Sequence, residues 1–435
     1  IFEPVMLASF ASRPCGAMRA STRGLAELAA RTKRFGPSVW TEFTPLAQKH
    51  GAVNLSQAVS SMPVHPVAHE CYNQAGASSA LNQYCRPMGH VPFVEALAEW
   101  YTPFYPGRQL NPMTEVVITV GATQALLLAF MTFCNPGDEV MVVEPFYDSY
   151  LPQSKLAGAS LRSVPLTIKP GTDGLRSSDW HLDFDELERR LTADTKVLVL
   201  CNPINPIGKV FNHKELQRLA DIAIKHDLTV ICDEVYEHLI LNPELHHEKL
   251  ANLPGMWERT ITIGSIGKAF NVTGWKLGWI IGPERITTNM SLFQQFIPFC
   301  VATPLQDAAA RIIRHPAREE ILEEQRATLK AKKDFLIASL RDVGLPALDP
   351  DGAYFTIFNH APVPVPEGPD RRDYRFCRYL TTDVGVAAIP PSAFYSPEFA
   401  HLGETFARFS FCKSDGELEE AAKRLQALKP LIQQE

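Results

Sequence analysis

No run of apolar residues in this 435-residue chain approaches the length, about 20, that a membrane-spanning helix needs. No CxxC pair occurs among its nine cysteines, which are Cys15, Cys71, Cys85, Cys134, Cys201, Cys232, Cys300, Cys377 and Cys412. An odd, scattered set in a long chain argues for reduced thiols in an intracellular compartment rather than a disulfide framework. The HExxH spacing is missing as well. His246-His247-Glu248 reads as surface, and no metal site is expected. There is no excess of positive charge: 42 Lys and Arg against 48 Asp and Glu leave a net charge of -6. That balance argues against a nucleic-acid or membrane-surface protein. Heptads, internal repeats and low-complexity tracts are absent. Two phosphate-binding loops are also excluded. A Walker A loop ending at Lys268 would need glycine where Thr262 stands and Ser or Thr where Ala269 stands, and no GxGxxG follows any candidate strand.

What is present is an ordinary globular composition, 46% apolar and 21% charged. The length predicts two domains. From Met6 to Arg34 the chain holds five arginines, several serines and one acid, Glu27. That composition suggests a mitochondrial or plastid address on a basic segment spanning 1–34; otherwise the protein would be cytoplasmic. Beyond it, short β-branched runs alternate with helical stretches. Candidate strands are Glu115–Val120, Glu139–Glu144, Lys196–Leu200, Thr229–Asp233, Thr260–Gly264 and Leu277–Ile281. Most are apolar nearly throughout, as strands buried on both faces of a parallel sheet are. Amphipathic segments such as His213–His226 lie between them. The prediction is an α/β domain over 67–305, its sheet mostly parallel and flanked by helices. A smaller α+β domain is expected from 35–66 and 306–435. It includes a helix over Glu319–Leu340, a Pro-rich loop at Ala361–Asp370, strands at Gly385–Pro391 and Phe406–Cys412, and a final helix at Asp415–Leu431.

Ligands of open α/β sheets bind outside the carboxyl ends of the strands, and here each end offers a different group. Gly121-Ala122-Thr123-Gln124 opens a helix after one strand, a cradle of free N–H groups for a phosphate. Pro145-Phe146-Tyr147 follows the next, then Asn202-Pro203-Ile204-Asn205-Pro206, then Asp233-Glu234-Val235-Tyr236, then Ser265-Ile266-Gly267-Lys268. Singly, each reads as a turn or a cap. Together they supply an anion cradle, an aromatic face, a hydrogen bond for a ring hydroxyl, an acid for a ring nitrogen and a lysine for a Schiff base. Pyridoxal phosphate needs that set.

These stretches resemble the fold-type I, class I pyridoxal-phosphate aminotransferases. The nearest group is kynurenine aminotransferase, glutamine transaminase K and cysteine-S-conjugate β-lyase. NQYCRPMGH, EPFYDSY, NPINPIGKVF, CDEVYEHLI, LPGMWERTITIGSIGKAFNVTGWKLGW, ATPLQ and FARFSF carry the resemblance, from about Trp40 to Leu428. It implies that Lys268 is the Schiff-base lysine and proton shuttle. Asp233 would pair with the ring nitrogen, Tyr236 and Asn205 with the ring hydroxyl oxygen, and Phe146 would stack on the ring. Gly121, Ala122, Thr123, Ser265 and Lys276 would surround the phosphate, and Tyr84 would reach it from the other subunit of a homodimer. Arg408 would take the substrate α-carboxylate, helped by Asn205, with Trp40 and Ala58 lining the substrate pocket. A desolvated pocket with Lys276 nearby is expected to favour the neutral amine of Lys268.

The implied activity is transfer of an amino group from an L-amino acid, with kynurenine, glutamine and aromatic or sulfur amino acids as the expected donors, to a 2-oxo acid. Elimination from cysteine S-conjugates is the alternative on the same scaffold. Asn54-Leu55-Ser56-Gln57-Ala58 stands where that group has Asn-Leu-Gly-Gln-Gly, and Thr123 where it has an aromatic residue. Cys201 replaces a usual Asn, and Met88-Gly89 replaces Phe-Gly. These changes bear on the substrate and leave every cofactor group in place. A cofactor-fold binding protein without activity and a nucleotide-binding Rossmann protein are the readings from other classes.

Overall fold

The computed structural model describes residues 35–432 together with Ala29 and Thr32. The basic segment 1–34, expected to be an organelle address, otherwise lies outside the described residues. Pro37–Glu435 forms one compact unit. No helix among the described residues is long and apolar enough to cross a membrane.

Twelve strands are present among the described residues. β1 (Val53–Asn54) pairs in parallel with β11 (Val386–Ala387), and β10 (Phe355–Asn359) pairs antiparallel with β12 (Phe406–Ser410). The other eight form one sheet. Its order is β2 (Val116–Val120), β9 (Leu277–Ile281), β8 (Thr260–Ser265), β7 (Thr229–Asp233), β6 (Thr195–Cys201), β3 (Glu139–Glu144), β4 (Ser160–Ile168) and β5 (Trp180–Leu182). β8, β7, β6, β3 and β4 run parallel, and β9 and β5 run against their neighbours. The sheet is mostly parallel, as the apolar runs predict.

Alternation along these strands feeds two cores. Val140, Val142, Val197, Val199, Ile231 and Ile261 face Leu126, Ala129 and Phe130 of the helix Gly121–Phe133. Met141, Val143, Leu198, Leu200 and Val230 face Leu216, Leu219 and Ala223 of the helix His213–Lys225. Both sheet faces are therefore covered, and a strand polar on either face would bury unpaired groups there. The second helix begins at a capping box, where the Asn212 side chain accepts from the Glu215 N–H and Glu215 reaches back. The helix Gly121–Phe133 has no side-chain cap, so its first N–H groups stay available.

The structure departs from the sequence reading in places. β4 and β5 were not foreseen, because β4 mixes exposed Ser160, Arg162 and Thr167 with buried residues and lacks a continuous apolar run, and β5 is three residues long. β10 was not foreseen either, although it is buried nearly throughout. The strand expected over Gly385–Pro391 shrinks to Val386–Ala387 plus one bridge, Ile389 to Arg408. The final helix breaks into Asp415–Leu425, a tighter turn Gln426–Leu428 and Lys429–Ile432. β9 returns antiparallel because only residues 266–276 separate it from β8, fewer than the dozen or so that a parallel crossover requires.

His247, expected at the surface, instead packs its ring within 3.0 Å of Glu234. Lys249 lies between Glu234 and Glu237, at 2.6 and 2.5 Å, so the cationic position of this buried cluster is filled by an ammonium.

Candidate active site

The strand ends converge on a cavity of about 340 Å³. Gly121, Ala122 and Thr123 follow β2, Asn205 follows β6, Asp233 ends β7 with Tyr236 just beyond, and Ser265 ends β8 with Lys268 on the short turn after it. β9 runs the other way, so its start lies at this same edge and puts Lys276 there. Arg408 enters from β12, Trp40 from the first turn of the helix Trp40–His50, and Ala58 from the segment after β1. All these residues line the one cavity.

Two expected residues do not line it. Phe146 is 2% exposed: its ring stacks on Tyr150 at 6.2 Å and its N–H donates to the Phe394 carbonyl at 2.8 Å. Its extended neighbour Tyr147 faces the other way, and Tyr147 is the aromatic residue of EPFYDSY that lines the cavity. The expectation for Phe146 is corrected by one position. Tyr84 is 84% exposed and packs edge-on against Phe299 at 5.3 Å, away from the cavity of its own chain.

Asp233 is buried at the cavity floor. Tyr150 donates to its Oδ2 at 2.7 Å, and its Oδ1 is buried with no partner. Burial pushes the carboxyl up to about 6, against the opposing hydrogen bonds from Tyr150 and the Val235 N–H. A buried carboxylate oxygen without a donor is costly, and a cationic N–H delivered to it would relieve that cost. At the opposite end, Gly121 has φ +68°, and a Cβ there would stand 3.2 Å from Lys276 Nζ. A Cβ on Gly278 would stand 2.6 Å from the Ala122 nitrogen. These two glycines keep the helix N-terminus and the Lys276 ammonium close together with space between them for an anion. The Ser265 hydroxyl caps nothing, and Lys276 holds a left-handed φ of +52°, the kind of strain that concentrates at functional sites. Lys276 is solvent-exposed.

Lys268 Nζ donates to the Tyr354 hydroxyl at 2.6 Å. Burial is the largest single influence and would depress the amine, but Tyr354, with Cys412 and Tyr147, turns the net direction upward. The expected bias toward the neutral form therefore does not hold in this geometry, because a phenol the sequence reading did not consider faces the amine. Tyr354 carries no motif of its own; it precedes β10, which was also missed.

Arg408 is 1% exposed. It donates from Nη1 to Asn205 Oδ1 at 2.9 Å and from Nη2 to the Ser56 carbonyl at 2.8 Å, and its Nε is buried without a partner. Phe355, Phe394 and Trp40 surround the guanidinium at 4.2, 4.9 and 5.3 Å from their ring centres. Burial pulls it down to about 10, still charged at neutral pH. No carboxylate among the described residues pairs with it directly. A buried cation held only by neutral acceptors is a site for an anionic ligand. Trp40 is fixed by its indole N–H, which donates to Asp148 Oδ2 at 3.0 Å.

An anion cradle, an orphaned carboxylate oxygen, an amine and an aromatic face surround one space. They fit a cofactor with a phosphate, a basic ring nitrogen and a carbonyl. Comparison with known proteins agrees. Residues 51–425 match the family Aminotransferase class I and II. The kynurenine–oxoglutarate transaminase of Dictyostelium discoideum is 41% identical over 418 residues, covering 92% of this chain and 96% of that protein. The crystal structure of Bna3p from Saccharomyces cerevisiae superposes with a TM-score of 0.88 at 32% identity, covering 94% of this chain and all (100%) of that one. N-succinyldiaminopimelate aminotransferase from Mycobacterium tuberculosis superposes at 0.84 with 38% identity, covering 92% and 100%. The chain belongs to the class I and II aminotransferases and is a pyridoxal-phosphate-dependent transaminase of the type I fold.

Proposed function

We propose that this transaminase takes the amino group of an L-amino acid with a neutral side chain, kynurenine and other aromatic amino acids foremost, and passes it to a 2-oxo acid such as 2-oxoglutarate. The observation that carries the reading is the buried, anion-less guanidinium of Arg408 across the cavity from Lys268. It suits a substrate α-carboxylate, held bidentately by a planar fork. The walls beyond it are Trp40, Leu126, Thr123 and Phe355, and no second arginine among the described residues lines the cavity, which supports a neutral side chain. The name of the Dictyostelium relative supports kynurenine and oxoglutarate as first candidates.

Pyridoxal phosphate, when bound, supplies the carbonyl that accepts the amine and an electron sink for the deprotonated α-carbon. Gly121, Ala122, Thr123, Ser265 and Lys276 would hold its phosphate. Asp233 Oδ1 would accept the ring N–H and keep that proton in place. Tyr236 and the Asn205 amide N–H would face the ring hydroxyl oxygen, since the Asn205 oxygen is committed to Arg408. Tyr147 would cover a ring face. Lys268 would link to the carbonyl, then take the substrate α-proton at Nζ and return it one position away. Trp40 and Ala58 would shape the side-chain space.

The test is a panel of amino acids and cysteine S-conjugates, scored for 2-oxo acid with and without an added acceptor. Acceptor-dependent turnover, best with aromatic donors, is expected. Pyruvate and ammonia without an acceptor would make the enzyme a C–S lyase, and a best donor with a charged side chain would refute the specificity.

Asp233→Asn separates function from stability. The folded carboxyl titrates near 6 and an unfolded one near 4, so folding opposes its ionisation. The penalty is absent below about pH 4, grows through pH 6 and is full above it. The isosteric amide should therefore stabilise cofactor-free protein at pH 8 by on the order of 2 kcal/mol, with the gain vanishing near pH 4, while turnover falls by roughly 10²-fold or more. Thermal unfolding at the two pH values and steady-state kinetics check it; an equal gain at both pH values contradicts the assignment.

We also infer a homodimer in which Tyr84 crosses to the partner's phosphate site. The exposure of Tyr84 and of Phe296, each 84%, supports this. Sedimentation should give twice 48.4 kDa; a stable monomer with full activity would overturn it.

A further inference from the structure

Lys268 has no carboxylate within ion-pair distance among the described residues. Its one side-chain hydrogen-bond partner there is Tyr354, at 2.6 Å. The backbone is tethered too: Gln325 Nε2 donates to the Lys268 carbonyl at 3.0 Å, from the helix Arg318–Asp342. Movement at this position is thus left to the side chain. Tyr354 is 5% exposed, and its ring meets Tyr236 edge-on at 5.3 Å and Phe355 at 4.7 Å.

We propose that Tyr354 is a positioning residue that holds the Lys268 amine, in either protonation state, whenever that amine is not joined to the cofactor. The inference rests on the reading of Lys268 given above. A phenol suits this task because it works in both directions. An ammonium donates an N–H to the phenol oxygen; a neutral amine accepts the phenol O–H through its lone pair. The amine can take a proton and give it up without leaving its partner. A carboxylate would hold the ammonium and resist its deprotonation, and an apolar residue would leave a buried amine unpaired. The edge-on ring contact with Tyr236 packs the same side chain against the residue expected at the ring oxygen.

Burial holds the Tyr354 phenol above its ordinary range, so it keeps its proton at neutral pH. The titratable groups facing Lys268 are Tyr354, Tyr147, Cys412 and Asp233, with the Tyr236 ring 5.7 Å away. Tyr354 is the one that touches it.

The experiment uses the full chain with Tyr354→Phe, which keeps the ring contacts with Tyr236 and Phe355. Cofactor is removed, and the rate of pyridoxal phosphate capture is followed by visible absorbance from pH 7 to 11.5, a range chosen to reach the upward-shifted midpoint of the parent. Capture requires the neutral amine. Without the phenol, burial dominates, so the midpoint should move down by about one pH unit, while the borohydride-fixed yield stays that of the parent. Turnover should fall about tenfold through kcat with KM little changed. Tyr354→Met fills similar volume without a proton and should give the same shift if the Phe variant folds poorly. An unmoved midpoint in a folded variant overturns the proposal. If Lys268→Ala still fixes cofactor normally, the reading of Lys268 has failed instead, whatever Tyr354 does.

Discussion

Lys268→Ala is expected to lower turnover by roughly four orders of magnitude or more, with the fold and the phosphate site intact. The size follows from two losses at one atom. A positioned general base contributes about 10²- to 10⁴-fold, and covalent attachment of the cofactor disappears with the same nitrogen. Little structural cost is expected, because the side chain is half-buried and its removal frees the Tyr354 hydroxyl beside a cavity that water can enter. The variant should still bind pyridoxal phosphate, less tightly, through the Gly121–Thr123 turn, Ser265 and Lys276. Borohydride should fix none of it. Kinetics with excess cofactor, a reduction assay and thermal unfolding separate these effects. Turnover within tenfold of the parent would remove Lys268 from the chemistry.

Arg408→Ala should raise KM for amino-acid substrates by roughly 10²- to 10³-fold, the equivalent of about 3–4 kcal/mol for a bidentate charge-assisted contact in a dry site. Cofactor affinity should change by less than about threefold, since no phosphate-site residue contacts the guanidinium. Arg408→Lys should rescue poorly. An ammonium cannot keep the bonds to Asn205 Oδ1 and the Ser56 carbonyl while presenting a flat fork to a carboxylate. An amine lacking the carboxylate is the control. Its slow reaction should be almost unaffected by the substitution. If cofactor and substrate affinity fell together, Arg408 would be a structural residue of the β12 core and not the carboxylate site.

How much of this was legible beforehand depended on whether a feature is local in sequence. Asp233, Lys268 and the Gly121 turn each lie at the end of a strand whose apolar run identifies it, so both the strand and the group at its end could be read. Arg408 was placed by the resemblance, since its burial among Phe355, Phe394 and Trp40 brings together separate segments of the chain, Trp40 from its far end. The Phe146 assignment failed because two adjacent aromatics are equally plausible until the backbone decides which faces the cavity. Tyr354 was invisible for a different reason: its role is a contact across the fold, and no spacing encodes it. Strand β4 lacked the apolar signature because exposed Ser160, Arg162 and Thr167 interrupt it, and β5, at three residues, is too short to show one.

The antiparallel return of β9 makes the chain between the two lysines a ruler. In the proposed site Lys268 and Lys276 would hold the carbonyl and the phosphate of the same small molecule, and the turn between them is pinned at both ends. Ser265 pairs with Gly278 in the sheet, and Gly267 lies against Thr273, where a Cβ would stand 2.7 Å from the Thr273 Cα. Adding or removing one residue there would shift one anchor relative to the other by up to about 3.5 Å. Length changes tolerated in the Pro-rich loop at 361–370 should therefore be rejected between 269 and 275. Here the size of the ligand is recorded as a count of residues.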